Sequence, residues 1–389
     1  MEEKKKVLML GGTGAMGVYL APQLLEQGYK VYITSRSERT SNERDMIFIQ
    51  GNAKDKEFLS ELLEERYDVI IDFMIYNTEG FKERYEDLLK NTDHYMFLSS
   101  YRVYGDSKGE AITEESVRLL DSVKDEKYLA TDEYGLTKAR QENILKESGY
   151  DNWTIIRPAI TYSKERFQLG TLEVHEFIKR ARQGKTIIFP KQMLDKQATM
   201  SWAGDVAKMI SKLVLNKEAM KETFTVSTSE HHTWREVMQY YIDLIGMKVK
   251  IVDLSVYESV IGRPYPIKYD RMFDRVIDNS KILRVTGMRQ EDLMPLKDGL
   301  RIELNNFLKN PNYKGFNPAL DKRIDEATAS KMGEKTVKIK KKLGALKKLH
   351  KEKRLIKTVR AKAFKLPGLR TVKKGYVKIK KKANSTNSK

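Results

Sequence analysis

A glycine-rich turn between an apolar run and a helical pattern is the feature that most restricts the fold of this chain. The apolar run 7–10 predicts a buried strand, and a helical pattern begins at 18 and continues to 27. In a strand–turn–helix unit, glycines allow the tight turn, let backbone N–H groups approach a pyrophosphate and let helix and strand pack closely. A second strand, predicted at 30–35, follows. The pattern therefore predicts a dinucleotide site formed by Gly11, Gly12, Thr13, Gly14, Ala15, Met16 and Gly17.

The rest of the first half alternates apolar runs with helical patterns. Helical patterns such as 56–65 separate these runs, which lie at 46–49, 69–73, 95–98 and 153–156. That alternation predicts an α/β chain with a Rossmann-type, doubly wound parallel sheet. Ligands of such sheets bind beyond the carboxyl ends of the strands, so the chemistry is expected there.

The segment 311–318, which contains two prolines, is expected to mark the end of the globule. Residues 311–389 would form a linker and a polybasic, partly helical tail.

Composition excludes some classes of protein. The absence of cysteine rules out disulfides and Cys-ligated metals, so we expect no metal site. The N-terminal apolar run is too short for a secretion signal, and no stretch reaches the length of a membrane-spanning helix. We therefore expect a cytoplasmic protein.

The net charge of +19 is concentrated at the end of the chain. Residues 331–389 contain 23 Lys and Arg against two Glu, a net of +21, which leaves −2 for residues 1–330. Apolar residues recur there at near-helical spacing among the lysines, and a Val-Lys-Ile-Lys-Lys-Lys segment occurs twice, at 337–342 and 377–382.

Such a segment can bind in more than one way. A lysine-rich helix with an apolar stripe suits the surface of an anionic membrane, here as a peripheral contact. The same charge would bind RNA or another polyanion, although the few aromatic residues disfavour base stacking. A disordered, solubilising tail is the third alternative.

A second motif carries candidate catalytic residues. The run 95–98 is followed by two serines, Ser99 and Ser100, and Tyr134 opens a helical pattern with Lys138 four residues on. Residues four apart share a helix face, so the ammonium can favour phenolate in a phenol that otherwise ionises near pH 10. A phenolate and a serine hydroxyl could deprotonate a carbinol while a nicotinamide takes the hydride. The alternative for the Tyr–Lys pair alone is a surface helical contact.

These motifs resemble those of the extended short-chain dehydrogenase/reductases, in the NAD-dependent epimerase/dehydratase family, from residue 5 to about 305. The matching segments, in order, are LGGTGAMG, SSYRVYG, YGLTK, IIRPAITYS, WAGDVAKMI and DNSKILRVTG. The resemblance implies that Ser100 is the catalytic serine, with Ser99 as its neighbouring alternative. It also implies that Tyr134 is the base and that Lys138 is its partner and holds the nicotinamide ribose.

The resemblance also implies how the body is divided. An NAD(P)-binding domain is expected at 1–165, to which 195–225 returns, and a smaller substrate lobe would come mainly from 166–310.

The resemblance further implies a cofactor, a substrate class and an assembly. The cofactor is NAD or NADP, the substrate is a nucleotide-linked or other sugar, and the chain is a homodimer through helices of the first domain. Epimerase and oxidoreductase both remain open. The rival hypothesis is a binding protein that keeps the fold and uses the tail on RNA, membrane or another polyanion.

Three residues that we expect near the adenosine of the dinucleotide differ from the family pattern. The family's acidic residue at the end of the second strand is replaced by Ser35, followed by Arg36, which favours tolerance of a 2′-phosphate and hence NADP. A solvated loop arginine is the alternative. Asn52 stands in for an aspartate and still offers an amide to adenine.

Other departures concern the substrate. Ile160 and Ala198 stand where nucleotide-sugar epimerases often have phosphate donors, and Arg263 or Arg271 are candidate substitutes. Residues 101–102 are Tyr-Arg where the 4,6-dehydratases carry Asp-Glu, which disfavours dehydration. The chain is more similar to a divergent branch that includes chloroplast stem-loop RNA-binding relatives.

Several conspicuous residues have simpler structural interpretations. We expect His231 and His232 in a loop before a capping box at 233–236, rather than in a metal site. Asp205 is expected to cap the helix that runs to residue 215. Tyr240 and Tyr241 are expected to pack on a helix face.

Overall fold

The structure is a computed structural model that describes residues 3–329. The predictions for 331–389, which include the tail helix and its binding face, lie outside this range.

Strands alternate with helices from residue 6 to residue 158, as the patterns predict, except at 30–50, where two strands follow each other. The described residues form fourteen strands: β1 (Lys6–Leu10), β2 (Lys30–Ser35), β3 (Met46–Gln50), β4 (Tyr67–Asp72), β5 (Thr92–Leu98), β6 (Trp153–Pro158), β7 (Ile160–Tyr162), β8 (Gln168–Leu169), β9 (Leu172–Glu173), β10 (Thr186–Pro190), β11 (Gln197–Trp202), β12 (Glu222–Val226), β13 (His231–Thr233) and β14 (Lys248–Val252).

Fifteen α-helices, some of a single turn, lie in the same range. They are α1 (Gly17–Glu26), α2 (Lys56–Glu64), α3 (Thr78–Lys82), α4 (Tyr85–Lys90), α5 (Leu119–Ser122), α6 (Glu126–Leu129), α7 (Tyr134–Lys146), α8 (Val174–Arg182), α9 (Ala203–Leu213), α10 (Trp234–Ile245), α11 (Leu254–Ile261), α12 (Pro264–Pro266), α13 (Ser280–Thr286), α14 (Leu296–Lys309) and α15 (Pro318–Ala329). A π-helical turn at Ile267–Arg271 continues α12.

The main sheet has seven parallel strands in the order β12-β6-β5-β4-β1-β2-β3. Strand β1 pairs with β2 on one side and with β4 on the other, so Val7 lies opposite both Val31 and Val69. The chain therefore reverses its direction of strand order beside β1. The Rossmann-type α/β prediction is confirmed, and the crevice of such a sheet lies beyond β1 and β4.

Helices cover both faces of this sheet, because alternate side chains of each strand point to opposite faces. On one face Val7 and Met9 pack into a buried core with residues of α1, α9 and α13. On the other face Leu8 and Leu10 pack with residues of α2, α4 and α7. Both faces are hydrophobic, so the strands read as continuous apolar runs.

The predicted strands are close to the observed ones, but the edge strand β12 was missed. Its sequence, Glu-Thr-Phe-Thr-Val, is short and half polar, and it becomes a strand by pairing with β6. Three smaller sheets come from the later part of the chain, with strand orders β13-β11-β7, β10-β14 and β8-β9.

The predicted end of the globule at 311–318 is wrong. Helix α15 follows this segment and packs on the body, with Leu320 and Ile324 buried. Asp321 pairs with Arg180 of α8 at 2.6 Å and with Lys185 at 2.7 Å. The proline-containing segment is therefore a connection within the globule.

Two predictions about local structure need correction. Asp205 does not cap α9, whose N-cap is Trp202; its carboxylate accepts a hydrogen bond from the Met294 backbone N–H at 2.7 Å. His231 and His232 lie on the short strand β13, which pairs antiparallel with β11, and not in a loop.

Two other local predictions are confirmed. Thr233 and Glu236 form a reciprocal capping box at the start of α10. Tyr241 is buried and packs edge-on against Phe177, with ring centroids 4.8 Å apart, while Tyr240 is half-buried and packs edge-on against His232.

Within residues 3–329, none of the helices combines the length and apolar character that a membrane-spanning helix needs.

Candidate active site

A cleft of about 480 Å³ opens at the carboxyl ends of β1, β4, β5 and β6. This is the edge at which a doubly wound sheet binds its ligands. The cleft brings the glycine turn, the serine motif and the start of α7 together. The lining residues used below are Gly11, Gly14, Ala15, Met16, Ser99, Ser100, Arg102, Tyr134, Lys138, Ile160, Arg166 and Arg271.

The glycines of the turn have distinct structural roles. Gly11 has a φ of +71°, which L side chains rarely adopt, and a Cβ on Gly17 would lie 2.0 Å from the Gly12 carbonyl oxygen. A Cβ on Gly14, in contrast, would meet no protein atom within 4 Å. Gly17 thus allows close packing of α1 on the turn, and Gly14 leaves the backbone open to a ligand.

This turn fits a dinucleotide. Gly11, Gly14, Ala15 and Met16 line the cleft, while Thr13 lies on the same turn outside the lining. Helix α1 starts directly behind them, so its unpaired N–H groups and positive dipole end face the place of a pyrophosphate. A bound nicotinamide dinucleotide would supply a hydride acceptor or donor.

The three residues that were predicted to contact the adenosine of the dinucleotide do not line the cleft. Ser35 is buried at the end of β2, where its hydroxyl accepts a hydrogen bond from the Ser37 N–H at 3.3 Å. Arg36 and Asn52 are exposed, and the Asn52 side-chain oxygen accepts from the Lys54 N–H at 3.2 Å. Their roles remain predictions.

Tyr134 is the first residue of α7 and shares the cleft with Ser100. Ser100 lies two residues after the end of β5, and its hydroxyl oxygen accepts a hydrogen bond from the Arg102 backbone N–H at 3.2 Å. The side chain of Glu133 caps α7 by accepting the N–H of Gly135 at 2.9 Å. The cap and the serine motif therefore fix where the phenol enters the cleft.

Burial of Tyr134 and the cations around it have opposite effects on its pKa. Burial raises the pKa of Tyr134 above its ordinary value of 10, while the cations of Arg166 and Arg102 and a hydrogen bond with Ser100 lower it. The Arg102 guanidinium carbon lies 5.3 Å from the centroid of the Tyr134 ring. Two guanidinium groups thus favour the phenolate.

Lys138 lies one helical turn further along α7 and is buried. Its ammonium nitrogen is 4.4 Å from the ring centroid of Phe97. Burial lowers the pKa of Lys138 to about 8, against the opposing charges of Asp72 and Glu142. Lys138 therefore lines the cleft, and its ammonium also interacts with the charges of Asp72 and Glu142.

The two serines have different partners, which separates their roles. The Ser99 hydroxyl donates to the Glu142 carboxylate at 2.5 Å, and Glu142 also binds the Arg157 guanidinium. Burial opposes ionisation of Glu142, but Arg157 and Ser99 outweigh it and lower the pKa. Ser99 thus belongs to a buried ionic network, and Ser100 faces Tyr134.

A second buried ionic cluster contributes Arg102 and Arg271 to the lining of the cleft. Asp270, on the π-helical turn, pairs with Arg271 and lies 3.3 Å from both Arg275 Nε and Arg102 Nε. Although burial disfavours its charge, these arginines lower the pKa of Asp270. One carboxylate holds three guanidinium groups, so this part of the lining is cationic.

The four substrate-side residues named from the sequence lie in different places. Ile160 lines the cleft and presents an apolar side chain, whereas Ala198 is buried on β11. Arg271 lines the cleft, but Arg263 is paired with Glu176 outside it. Of the two candidate substitutes, Arg271 is the one placed near a substrate.

The sequence did not single out Arg166, Asp270 or Glu142. Glu142 follows Tyr134 by eight residues and Lys138 by four, so helical periodicity could have found it. Arg166 and Asp270 reach the cleft through the tertiary fold, and no local pattern marks them. Across residues 3–329, no group of three or more His, Asp or Glu side chains could hold a metal ion.

Comparison with known proteins adds family information. The family model described as "NAD dependent epimerase/dehydratase family" matches residues 7–227. The chloroplast stem-loop binding protein of 41 kDa b from Arabidopsis thaliana is 26% identical over 344 residues, which span 82% of this chain and 85% of that protein.

Solved structures share the fold. An epimerase from Methanothermobacter thermautotrophicus superposes with a TM-score of 0.63 at 16% identity, over 79% of this chain and 93% of its own. The Thermus thermophilus UDP-glucose 4-epimerase, solved in complex with NAD, gives a TM-score of 0.59 at 20% identity, over 78% and 99% of the two chains.

Proposed function

Because this chain belongs to the NAD dependent epimerase/dehydratase family, we propose that it is an NAD(P)-dependent enzyme acting on a hydroxyl of a sugar, as an epimerase or an oxidoreductase. The observation that supports this most is the meeting of Ser100, Tyr134 and Lys138 with the glycine turn in one cleft. If Tyr134 and Lys138 were only a structural contact on one helix, they would not need a cleft or a dinucleotide-binding turn beside them.

Each of the three residues has a role in this proposal. Tyr134 accepts the proton of the substrate hydroxyl, because a nearby phenolate is a strong base. Ser100 donates a hydrogen bond to the same substrate oxygen. Lys138 holds the nicotinamide ribose from its place one turn along the helix, and its charge adds to that of the two arginines near the phenol.

The proposed substrate carries negative charge, as a nucleotide-linked sugar does. Arg271 and Arg166 both line the cleft. Among residues 3–329, Arg166 forms no ion pair with a carboxylate, and it is half-buried. Guanidinium groups bind phosphate oxygens through fixed, paired donors.

Substitution of Tyr134 by Phe tests the proposal. We expect Tyr134→Phe to lose turnover of nucleotide sugars by at least about a thousandfold, within the range for a general base, while NAD(P) binds as in the wild type. The measurements are turnover on a panel of nucleotide sugars and dinucleotide affinity by calorimetry. Retained turnover would remove the proposed base.

The cofactor that accompanies the purified protein separates the two reaction types. A tightly held NAD, released on denaturation, would favour an epimerase that returns its hydride to the same substrate. Exchangeable NADPH would favour a reductase. If no dinucleotide is released or bound, the enzyme hypothesis fails.

A second function, binding of a polyanion by 331–389, is proposed from charge alone. The segment holds 23 Lys and Arg against two Glu. Deletion of 331–389 should leave turnover intact and abolish salt-sensitive binding to RNA or to anionic vesicles. Binding that persists after the deletion would contradict it. The homodimer also stays a proposal, tested by sedimentation.

A further inference from the structure

The hairpin of β8 and β9 presents two polar side chains to the cleft. Its strands pair antiparallel, with Gln168 directly opposite Glu173, and side chains of opposed residues project from the same face of a hairpin. Both residues line the cleft. The two-residue turn between the strands contains Gly170, which has a φ of +57°. The hairpin therefore places an amide and a carboxylate side by side.

Buried contacts fix the position of this hairpin. The backbone oxygen of Gln168 accepts a hydrogen bond from the Tyr241 hydroxyl at 3.3 Å, and the hydroxyls of Thr171 and Tyr257 lie 3.0 Å apart. Both tyrosines are fully buried, Tyr241 on α10 and Tyr257 on α11. Because two helices hold it, the hairpin is a rigid support for the side chains that it presents.

The Gln168 amide orients the carboxylate of Glu173. Its Nε2 donates to Glu173 Oε1 at 2.5 Å, and its Oε1 accepts from Arg271 Nη2 at 3.2 Å. A guanidinium only donates and a carboxylate only accepts, so the amide has one favourable orientation between them. Glu173 also closes a capping box at the start of α8, where its backbone N–H donates to Glu176 at 2.9 Å. Glu173 is therefore held from the hairpin and from the helix.

The Glu173 carboxylate still has acceptor capacity. An ionised carboxylate offers about four lone-pair sites, and Gln168 and the capping box use two of them. Among residues 3–329, no Lys, Arg or His forms an ion pair with Glu173, which is half-buried. The remaining sites are available to hydrogen-bond donors in the cleft.

Hydrogen bonds connect Glu173 to the serine motif. Beyond Gln168, the guanidinium of Arg271 donates from Nη1 to the Tyr101 hydroxyl at 2.5 Å. Tyr101 directly follows Ser100, and both line the cleft. Glu173 therefore belongs to a continuous series of contacts that ends beside the proposed catalytic serine.

We propose that Glu173 is a specificity-determining residue, whose carboxylate accepts hydrogen bonds from sugar hydroxyls and excludes sugars that carry a carboxylate. The proposal rests on the proposed function, because it takes the sugar as the ligand of this cleft. A carboxylate that only accepts hydrogen bonds pairs with hydroxyl groups, whereas a second carboxylate placed beside it is repelled. The substrate class is thus the nucleotide-linked neutral sugars, and the nucleotide-linked uronates are rejected.

Binding of matched neutral and acidic nucleotide sugars to the full chain tests this proposal. The probes are UDP-glucose with UDP-glucuronate, dTDP-glucose with dTDP-glucuronate, and GDP-mannose with GDP-mannuronate, each titrated by calorimetry. We expect at least one neutral sugar to bind about tenfold or more tightly than its uronate, since juxtaposed like charges are strongly unfavourable. The pair with the tightest neutral member is then measured with the variants.

Glu173→Gln removes the charge and keeps an acceptor for Gln168. It should weaken binding of the neutral sugar about fivefold, because hydrogen bonds to a charged group are roughly twice as strong as neutral ones. The preference over the uronate should fall below about threefold.

Two further variants separate charge from disruption. Glu173→Asp keeps the charge but withdraws the carboxylate, so it should weaken binding of the neutral sugar and retain a preference above about fivefold. Glu165→Gln makes the same charge change at an exposed position that does not line the cleft, and it should alter each affinity by less than about twofold. If Glu173→Gln lowers the melting temperature, Glu173→Asp still tests the proposal, because loss of its preference contradicts a role for the charge.

Three outcomes would overturn the proposal: no binding or no preference for the neutral member in any pair, an unchanged preference in Glu173→Gln, or the same loss in Glu165→Gln. All three are read from binding and need no turnover. The proposed function fails on other observations, namely retained turnover in Tyr134→Phe or the absence of a bound dinucleotide. Failure of the one is therefore distinguishable from failure of the other.

Discussion

The guanidinium of Arg157 donates two hydrogen bonds to the carboxylate of Glu142, one from Nε to Oε1 with a length of 2.8 Å and one from Nη2 to Oε2 with a length of 2.7 Å. Arg157 is 1% exposed and Glu142 is not exposed at all. Because Arg157 lies on β6 and Glu142 on α7, this pair fixes the helix that carries Tyr134 and Lys138 against the sheet.

Loss of Arg157 should therefore destabilise the whole domain. Arg157→Met leaves the buried Glu142 carboxylate with only the Ser99 hydroxyl and the more distant Arg118, 3.4 Å away, which should cost up to about 3–5 kcal/mol of the free energy of unfolding. Urea denaturation measures it. The control is Lys90→Met, which breaks the exposed Lys90–Glu86 pair and should cost less than about 1 kcal/mol. Similar losses in both variants would show that the buried pair is not important for stability.

Two alanine substitutions in the glycine turn should separate cofactor binding from packing. Gly14→Ala adds a methyl group in open space, so we expect an unchanged melting temperature and at least about tenfold weaker NAD(P) binding. Gly17→Ala forces a contact 2.0 Å from a backbone oxygen and should cost about 1–3 kcal/mol of stability. Calorimetry measures both. Unaltered binding in Gly14→Ala would mean that the pyrophosphate does not approach this turn.

The parts of the site that the sequence predicted are those determined by local structure. The turn at Gly11–Gly17 needs only a strand before it and a helix after it, and Tyr134 and Lys138 need only one helix. Their meeting follows from the rule that the carboxyl ends of parallel strands share an edge. These rules place the cleft without any knowledge of side-chain packing.

The residues that the sequence missed depend on contacts between distant segments. Asp270 meets Arg102 across 168 positions of the chain, and Asp205 bonds the backbone of Met294 instead of its own helix start. No periodicity or motif encodes such pairs. The same holds for Asp321, whose partner Arg180 lies on another helix, so α15 looked like part of the tail.

Helix α15 is therefore expected to be required for a stable body. A chain that ends at residue 317 leaves Arg180, 1% exposed, without the carboxylates of Asp321 and Asp325, and it uncovers the contacts of Leu320. We expect a loss of at least about 3 kcal/mol relative to a chain that ends at residue 329. Urea unfolding compares the two. Equal stability would mean that α15 is dispensable and that the fold ends earlier.

Lys138 should give stability a pH dependence of defined sign. Its pKa is lowered by burial from 10.5 to about 8, so between these values unfolding takes up a proton and becomes harder as the pH rises. The contribution of Lys138 to the free energy of unfolding should therefore increase by about 3 kcal/mol from pH 8 to pH 10.5. The measurement is the stability difference between wild type and Lys138→Met across this range. A flat difference for Lys138 would mean that its ammonium is solvated.

Arg36 should decide between the two dinucleotides. It is exposed directly after β2, and within residues 3–329 it is not paired with a carboxylate, so its guanidinium is available to a 2′-phosphate. A hydrogen bond to a charged group contributes about 1.5–3 kcal/mol, and Arg36→Asp should therefore weaken NADP binding by roughly 10- to 100-fold. The new carboxylate can accept a hydrogen bond from the ribose 2′-hydroxyl of NAD, so NAD binding should be retained or improved.

Titration of each variant with NAD and with NADP measures the two affinities. Arg39→Asp makes the same charge change in the same exposed loop and should alter NADP affinity by less than about threefold. If Arg36 and Arg39 variants lose NADP equally, the effect is one of general charge, and the 2′-phosphate is read elsewhere.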